Sequence, residues 1–321
     1  MPRLTAPLRR FVAALLVTAA LGALVLLAGG WYFADQIRAD GLRAAPAPPG
    51  GVAPARLGRD VYDTVAQATG VPSSDVTIPC AGGGCPAWFL PGPGRTWAIL
   101  VHGKGATRTE PLRALRGVHA AGLPALVISY RNDPGAPADP SGYYRYGASE
   151  WPDLDNAVLY AQQHGAQRVV LVGFSMGGGL VASFLEHSPR RNLVTALVLD
   201  APMLSFRRTV AFGAAQRSLP VVGLAIPRPL TWTAQTLAGW RFGIDWAAID
   251  YLDGRWLSVP TLLFHGTADQ TVPVTTSDAL RRTHPALVRQ VRVQGAAHVA
   301  SWNTDPTRYD AAVRTFLGQA G

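Results

Sequence analysis

Residues 168–177 read RVVLVGFSMG, and this stretch decides the fold. The apolar residues Val169–Gly173 predict a strand that is buried on both faces, and Met176–His187 have the length and apolar spacing of a helix. Ser175 stands at the sharp turn between them, with a glycine two residues away on either side. Such a turn exposes the serine hydroxyl at a helix N-terminus, where backbone N–H groups can meet a developing negative charge.

Further apolar runs on both sides of this stretch predict the rest of a sheet: Trp97–Val101, Ala125–Tyr130, Ala196–Leu199 and Thr261–Phe264. Val288–Val293 alternates apolar and polar residues, which favours an edge strand, and Asp75–Ile78 with Ala87–Leu90 predict an antiparallel pair that starts the sheet. Three other segments have helical spacing: Pro111–Ala121, Trp151–His164 and Pro306–Leu317, the last with Asp305 as a candidate N-cap. The alternation predicts an α/β fold, with a mostly parallel central sheet and helices on both of its faces.

A serine at such a turn acts as a nucleophile only with an acid and a histidine, which follow it in the chain. Asp269 lies in HGTADQTVP, just after an apolar strand, and His298 lies in GAAH, just after the strand that ends at Val293. Active-site groups of a parallel sheet collect at these strand ends. Asp200 also ends a strand near the serine and is the competing acid, but its local pattern is less complete.

These motifs together resemble the α/β-hydrolase family: the G-x-S-x-G turn, the His-Gly-x-x-Asp-x-x-Val-Pro stretch and the late Gly-x-x-His, within about residues 76–317. The resemblance implies that Ser175 attacks a carbonyl, that His298 takes and returns its proton, and that Asp269 orients the imidazole. It also implies an oxyanion hole formed by the backbone N–H groups of Met176 and Lys104.

The residues around the implied oxyanion hole have supporting roles in this interpretation. Gly173 and Gly177 allow close backbone approach at the turn, and His102 and Gly103 belong to the loop HGKG. We expect His102 and His265 to be hydrogen-bonded supports of their loops, because neither has the late position that a base needs. The side chain of Lys104 either binds an anionic substrate or points to solvent, and the second alternative is favoured.

The first fifty-five residues predict a membrane anchor. Residues 11–33 carry no charge, and as a helix they extend about 34 Å, enough for a bilayer core. Three arginines precede this segment and two follow it, which favours a cytoplasmic N-terminus at residues 1–10, a linker at residues 34–55 and an extracytoplasmic domain at residues 56–321. The alternative is a cleaved signal peptide, which releases a secreted protein.

The two cysteines, Cys80 and Cys85, predict a local disulfide if the domain lies in an oxidising compartment. The cysteine and histidine spacing completes no zinc site, and the proposed chemistry needs neither a metal nor an organic cofactor. The net charge of +9 is spread over scattered arginines, so nucleic acid is not an expected partner. Residues 203–257 are rich in tryptophan and phenylalanine and too long for a connection, which predicts a helical cap over the sheet.

The sequence therefore predicts a serine hydrolase that cleaves a carboxylic ester or thioester of a small-molecule or lipid-like acyl substrate. A peptidase similar to prolyl oligopeptidase is the enzymatic alternative, and a membrane-tethered binding protein without turnover is the alternative from another class. A serine nucleophile argues against haloalkane chemistry, which needs a carboxylate in that place.

Overall fold

The computed structural model describes residues 5–44, 61–219 and 223–320, and it divides the chain into two units. The larger unit contains residues 43–212 and 246–321, and the smaller contains residues 1–42 and 213–245. The larger unit holds the sheet and every predicted site residue.

The sheet of the larger unit has eight strands in the described part of the chain: β1 Ser74–Cys80, β2 Gly83–Leu90, β3 Thr96–Val101, β4 Ala125–Ile128, β5 Arg168–Phe174, β6 Val194–Asp200, β7 Thr261–Gly266 and β8 Val288–Val293. Their order is β1-β2-β4-β3-β5-β6-β7-β8, with antiparallel β1/β2 and β2/β4 pairs and parallel pairs elsewhere. The predicted antiparallel start and the predicted edge strand β8 are both confirmed. β4 ends two residues earlier than predicted, since the N–H of Tyr130 donates to the Asp133 carboxylate at 2.8 Å.

The helices that lie wholly in the larger unit are α2 Val65–Thr69, α3 Leu112–Ala120, α4 Trp151–Gln163, α5 Met176–His187, α8 Val274–Thr283, α9 Ser301–Thr304 and α10 Pro306–Ala320, and they pack around the sheet. Helix α6, Phe206–Ala215, begins in the larger unit, and its last residues are counted in the smaller unit. Ala98 and Leu100 of β3 join the buried cluster that contains side chains of α3 and α10. Side chains alternate along a strand, so Ile99 and Val101 face the other layer. Asp305 accepts a hydrogen bond from the N–H of Arg308 at 3.0 Å, the contact expected of an N-cap.

A disulfide joins Cys80 to Cys85 across the turn between β1 and β2, with their Cα atoms 5.7 Å apart. The bond that the cysteine spacing predicted is therefore present. It closes a loop at the antiparallel edge of the sheet, and it leaves no free cysteine in the described residues.

The smaller unit contains α1, Ala6–Gln36, which continues as a π-helix over Ile37–Leu42, and α7, Arg228–Phe242, which ends at the left-handed Gly243. By length and composition the helix Ala6–Leu42 could cross a membrane. It extends beyond the predicted span, so residues 34–42 of the predicted linker are helical, and residues 45–55 lie outside the described residues. The predicted cap at residues 203–257 contains α6 and α7, and its placement over the sheet stays a prediction.

Candidate active site

Ser175 lies between the end of β5 and the start of α5, in a backbone conformation that residues other than glycine rarely adopt, with φ 47° and ψ −116°. Three backbone hydrogen bonds hold this turn: the Ser175 N–H donates to the Asp200 carbonyl at 3.0 Å, and the Ser175 carbonyl accepts from the N–H groups of Gly178 at 2.9 Å and Met203 at 2.8 Å. Strain of this kind persists only where the surroundings fix it. It presents the serine side chain at the first turn of α5.

Two glycines are required by the close packing of this turn. A Cβ at Gly177 would lie 2.4 Å from the carbonyl oxygen of Val101 and 2.7 Å from that of His102, so α5 could not approach the end of β3. A Cβ at Gly173 would lie 2.9 Å from backbone atoms of Gly177 and Gly178. The glycines of the G-x-S-x-G pattern thus set the position of Ser175 relative to the neighbouring strand.

The three residues predicted as nucleophile, acid and base lie in one hydrogen-bonded chain. His298 Nε2 is 2.8 Å from Ser175 Oγ, and His298 Nδ1 is 2.7 Å from Asp269 Oδ2. A carboxylate can only accept, so the neutral imidazole carries its proton on Nδ1, and Nε2 accepts from the serine hydroxyl. The loops after β5, β7 and β8 supply the three side chains, at the carboxyl end of the parallel sheet.

Both oxygens of Asp269 are fully engaged. Oδ1 accepts from the N–H groups of Thr271 at 2.8 Å and Val272 at 2.9 Å, and Oδ2 accepts from His298 and lies 3.2 Å from Nε2 of His265. Burial raises the pKa of this carboxyl, but the hydrogen bonds from the two histidines outweigh burial and bring the pKa well below its usual value. Asp269 therefore stays charged across the physiological pH range.

Asp200, the competing acid, has a different set of contacts. Its Oδ1 accepts from Ser301 Oγ at 2.8 Å, and its backbone carbonyl supports the turn at Ser175. Its side chain is buried, and burial raises its pKa to about 6, although the hydrogen bond from Ser301 opposes this. Nδ1 of His298 is hydrogen-bonded to Asp269 and not to Asp200.

The loop after β3 passes directly beside the serine. A Cβ at Gly103 would lie 2.9 Å from the Ser175 Cβ, so only glycine fits there. The Gly103 N–H donates to Glu110 Oε2 at 2.6 Å, and the Gly103 carbonyl accepts from His102 Nδ1 at 2.8 Å. In a trans peptide the C=O and the next N–H point in opposite directions, so these contacts also fix the direction of the Lys104 N–H.

His102 is a buried partner of Asp133, with Nε2 2.8 Å from the Asp133 Oδ2. Both of its ring nitrogens face acceptors, an arrangement that favours the protonated ring. Burial lowers the pKa of His102, but the Asp133 carboxylate outweighs burial and raises it overall. The Lys104 ammonium lies 5.8 Å from the centre of the Tyr144 ring.

The structure adds supporting residues that sequence reasoning missed. Glu110 and Asp133 hold the loop after β3, and Ser277 lies 2.7 Å from His265 Nδ1. Arg113 of α3 donates to the carbonyl oxygen of Val299, next to His298, with a guanidinium nitrogen. These groups lie 7 to 186 residues along the chain from their partners, and no motif around them marks the contacts in the sequence.

Among the described residues, Cys80, Cys85 and Asp153 form the one group of side chains spaced like metal ligands. The two sulfurs are joined in the disulfide, so they are not available as thiolates. This group therefore does not qualify as a metal centre in the oxidised chain.

A family model described as serine aminopeptidase, S33, matches residues 149–242, which include Ser175 and end before Asp269 and His298. No curated protein sequence is significantly similar to this chain.

Solved structures match most of the chain. An esterase of Pyrococcus furiosus, Pf2001, has a TM-score of 0.62 at 19% identity, covering 82% of this chain and 97% of that chain. A thermophilic esterase of Thermogutta terrifontis has a TM-score of 0.54 at 20% identity, covering 78% and 99%. The carboxylesterase EstE1, cloned from a metagenomic library, has a TM-score of 0.53 at 20% identity, covering 79% and 92%. At these identities the similarity establishes a shared fold.

Proposed function

We propose that this chain, whose fold is similar to that of esterase structures, is a serine hydrolase that cleaves a carboxylic ester or thioester through an acyl-enzyme intermediate. The observation that carries the proposal is the continuous hydrogen-bonded chain from Ser175 Oγ through His298 to Asp269. Nucleophile, base and orienting acid each have the partner that acyl transfer needs.

Acylation begins at Ser175, whose Oγ attacks the substrate carbonyl carbon while His298 Nε2 takes the hydroxyl proton. The resulting imidazolium is stabilised by the ionised Asp269, which stays in contact with Nδ1. His298 then gives the proton to the leaving alcohol or thiol as the carbonyl-to-leaving-group bond breaks. In the second half, water attacks the acyl-serine, His298 takes a proton from the water and returns it to Ser175 Oγ.

The charge that develops on the carbonyl oxygen needs donors beside Ser175. Met176 is the first residue of α5, where a backbone N–H has no acceptor within its own helix. The Lys104 N–H is the second donor, because its peptide is fixed by the contacts of Gly103. Loss of one such donor typically costs about 3 kcal/mol, on the order of a hundredfold in rate.

Esters and thioesters are favoured over peptides because the similar solved structures include esterases. Peptide hydrolysis is the second candidate, because the matching family model is described as a serine aminopeptidase. Parallel assays of the full-length protein on p-nitrophenyl esters of increasing acyl length and on aminoacyl p-nitroanilides separate the two reactions.

The direct test of the nucleophile is mass spectrometry of the full chain in detergent after treatment with a fluorophosphonate. We expect one adduct on the wild-type protein and none on the Ser175→Ala variant. Folded wild-type protein that forms no adduct and turns over no ester would contradict the proposal and favour a binding protein without turnover.

We also propose that α1 is an uncleaved membrane anchor that holds the larger unit outside the cytoplasm, and that the substrate is a small-molecule or lipid-like acyl compound. Large apolar side chains along α1 are exposed, among them Leu16, Leu24 and Val25. A protease added to intact cells should remove the larger unit and leave α1 in the membrane fraction. Protection of the larger unit from that protease would place it in the cytoplasm.

A further inference from the structure

The helix α7 packs closely along the C-terminal turns of α1 within the smaller unit. A Cβ at Gly30 would lie 2.6 Å from Thr233 Cγ2 and 3.3 Å from Leu237 Cδ1, and one at Gly29 would lie 3.0 Å from Leu230 Cδ1. Small residues that let two helices approach closely are typical of helix packing in lipid. Here they lie in the last part of the apolar stretch of α1.

A polar contact fixes the end of this packing. The Arg241 guanidinium lies 3.6 Å from the centre of the Trp31 ring, donates to the Trp31 carbonyl at 3.2 Å and pairs with Asp35 at 3.3 Å. Further along both helices, Arg38 lies 5.4 Å from the centre of the Phe242 ring. The two helices therefore run in the same direction, and the start of α7 lies beside the apolar part of α1.

Another face of α7, which begins beside the contact with α1, presents tryptophan to the surroundings. Trp232, Thr236 and Trp240 are spaced by four residues and share one side of the helix. Trp232 is 62% exposed and Trp240 is 76% exposed, and the Trp240 ring centre lies 6.5 Å from that of Trp31. Indole rings that combine an apolar body with an N–H donor are enriched at membrane interfaces.

From this arrangement we infer that α7 is a second membrane-contacting helix, which lies in the outer interface of the phospholipid bilayer with Trp232 and Trp240 against lipid. The inference rests on the proposed anchoring by α1, because the exposed apolar surface of α7 continues that of α1. The chain then holds the bilayer at two places that are far apart in sequence. Removal of α1 by signal cleavage would uncover the apolar Leu230 and Leu237.

The test measures contact between single tryptophans and lipid in the full chain. Wild type and four variants, Trp31→Phe, Trp151→Phe, Trp232→Phe and Trp240→Phe, are reconstituted into phosphatidylcholine vesicles and into vesicles of a phosphatidylcholine brominated at acyl carbons near the headgroup. The difference between wild-type and variant emission gives the contribution of each residue. Trp151 begins α4 in the larger unit and serves as the control.

We expect the emission of Trp232, Trp240 and Trp31 to be lost in the brominated vesicles, while that of Trp151 persists. Loss for Trp31 alone would overturn the role of α7 and leave the anchor standing. No loss for any of the three would overturn both proposals, and equal loss for Trp151 would overturn the assignment of lipid contact to α7. If Trp232 and Trp240 are not quenched, and a variant that combines Trp232→Phe with Trp240→Phe forms a smaller assembly than wild type in detergent, the membrane role of α7 is overturned and this face belongs to a contact with a second copy of the chain.

Discussion

Replacement of Asp269 by asparagine should trap His298 in the wrong tautomer. In the wild-type protein Oδ1 of Asp269 accepts from two backbone N–H groups, and Oδ2 faces ring nitrogens of His298 and His265. The asparagine oxygen must keep the place of Oδ1, since the amide NH₂ would otherwise oppose two N–H donors. The NH₂ group then faces His298 Nδ1, which has to accept.

A histidine that accepts at Nδ1 carries its proton at Nε2, and so it cannot take the proton of Ser175. The same substitution in a serine protease of unrelated fold costs about 10⁴ in kcat, which corresponds to about 5 kcal/mol of transition-state stabilisation. We expect a loss of the same order here, since the contacts of Oδ1 allow the amide one orientation. KM for the ester should change little.

The assay is hydrolysis of a short-chain p-nitrophenyl ester by the full-length protein in detergent at neutral pH, with circular dichroism to verify the fold. The matched control is Asp200→Asn, whose amide oxygen can still accept from Ser301, so we expect activity within a few-fold of wild type. Asp269→Asn within tenfold of wild-type kcat would refute the reasoning. A large loss in Asp200→Asn instead would assign the acid to that residue.

Three further predictions concern packing and stability, each measured on the full chain in detergent. Gly177→Ala should abolish activity and lower the unfolding temperature, because its Cβ would lie 2.4 Å from the Val101 carbonyl; an active variant with unchanged melting would contradict this. Burial raises the pKa of Asp200 from its ordinary value of 3.8 to about 6. Ionisation of the buried carboxyl therefore destabilises the folded state, by nothing below about pH 4 and by about 3 kcal/mol well above pH 6. Urea unfolding should therefore find Asp200→Asn more stable than wild type at pH 7 and equal to it at pH 4, and a constant difference would refute the titration. Replacing Cys80 and Cys85 by serine should lower the free energy of unfolding by about 2 kcal/mol, as estimated from the short loop that the disulfide closes, and reductant should have no effect on that variant.

The sheet could be predicted because its inner strands are buried on both faces. Nearly unbroken apolar runs form β3, β5, β6 and β7, and short runs of this kind are typical of parallel strands buried on both faces. The positions of Ser175 and Asp269 followed from the ends of such runs, and that of His298 from the end of the alternating strand β8, since side chains at the carboxyl ends of parallel strands come together. Local pattern and long-range geometry agree at these residues.

The residues that support the site could not be predicted, because their burial leaves no pattern in the local sequence. Glu110 and Asp133 are buried carboxylates in loops, and in sequence a buried loop carboxylate looks like an exposed one. Only the three-dimensional structure shows that Glu110 contacts Gly103 and that Asp133 contacts His102. The helical cap predicted at residues 203–257 contains α7, but the bounds of α7 were not predicted, because its buried residues, such as Leu230 and Ala234, fit a partner near the other end of the chain.

The pairing of α1 with α7 has a consequence for synthesis. Gly30 leaves the ribosome about two hundred residues before Thr233, and at about 5–20 residues per second this delay is roughly 10–40 s. During that interval the small-residue stripe of α1, with Gly30 and Ala34, has no α7 to cover it. In a nascent chain halted before residue 228, this stripe can therefore pack against α1 of a neighbouring chain. Once α7 has been synthesised, it competes with that neighbour for the same surface of α1.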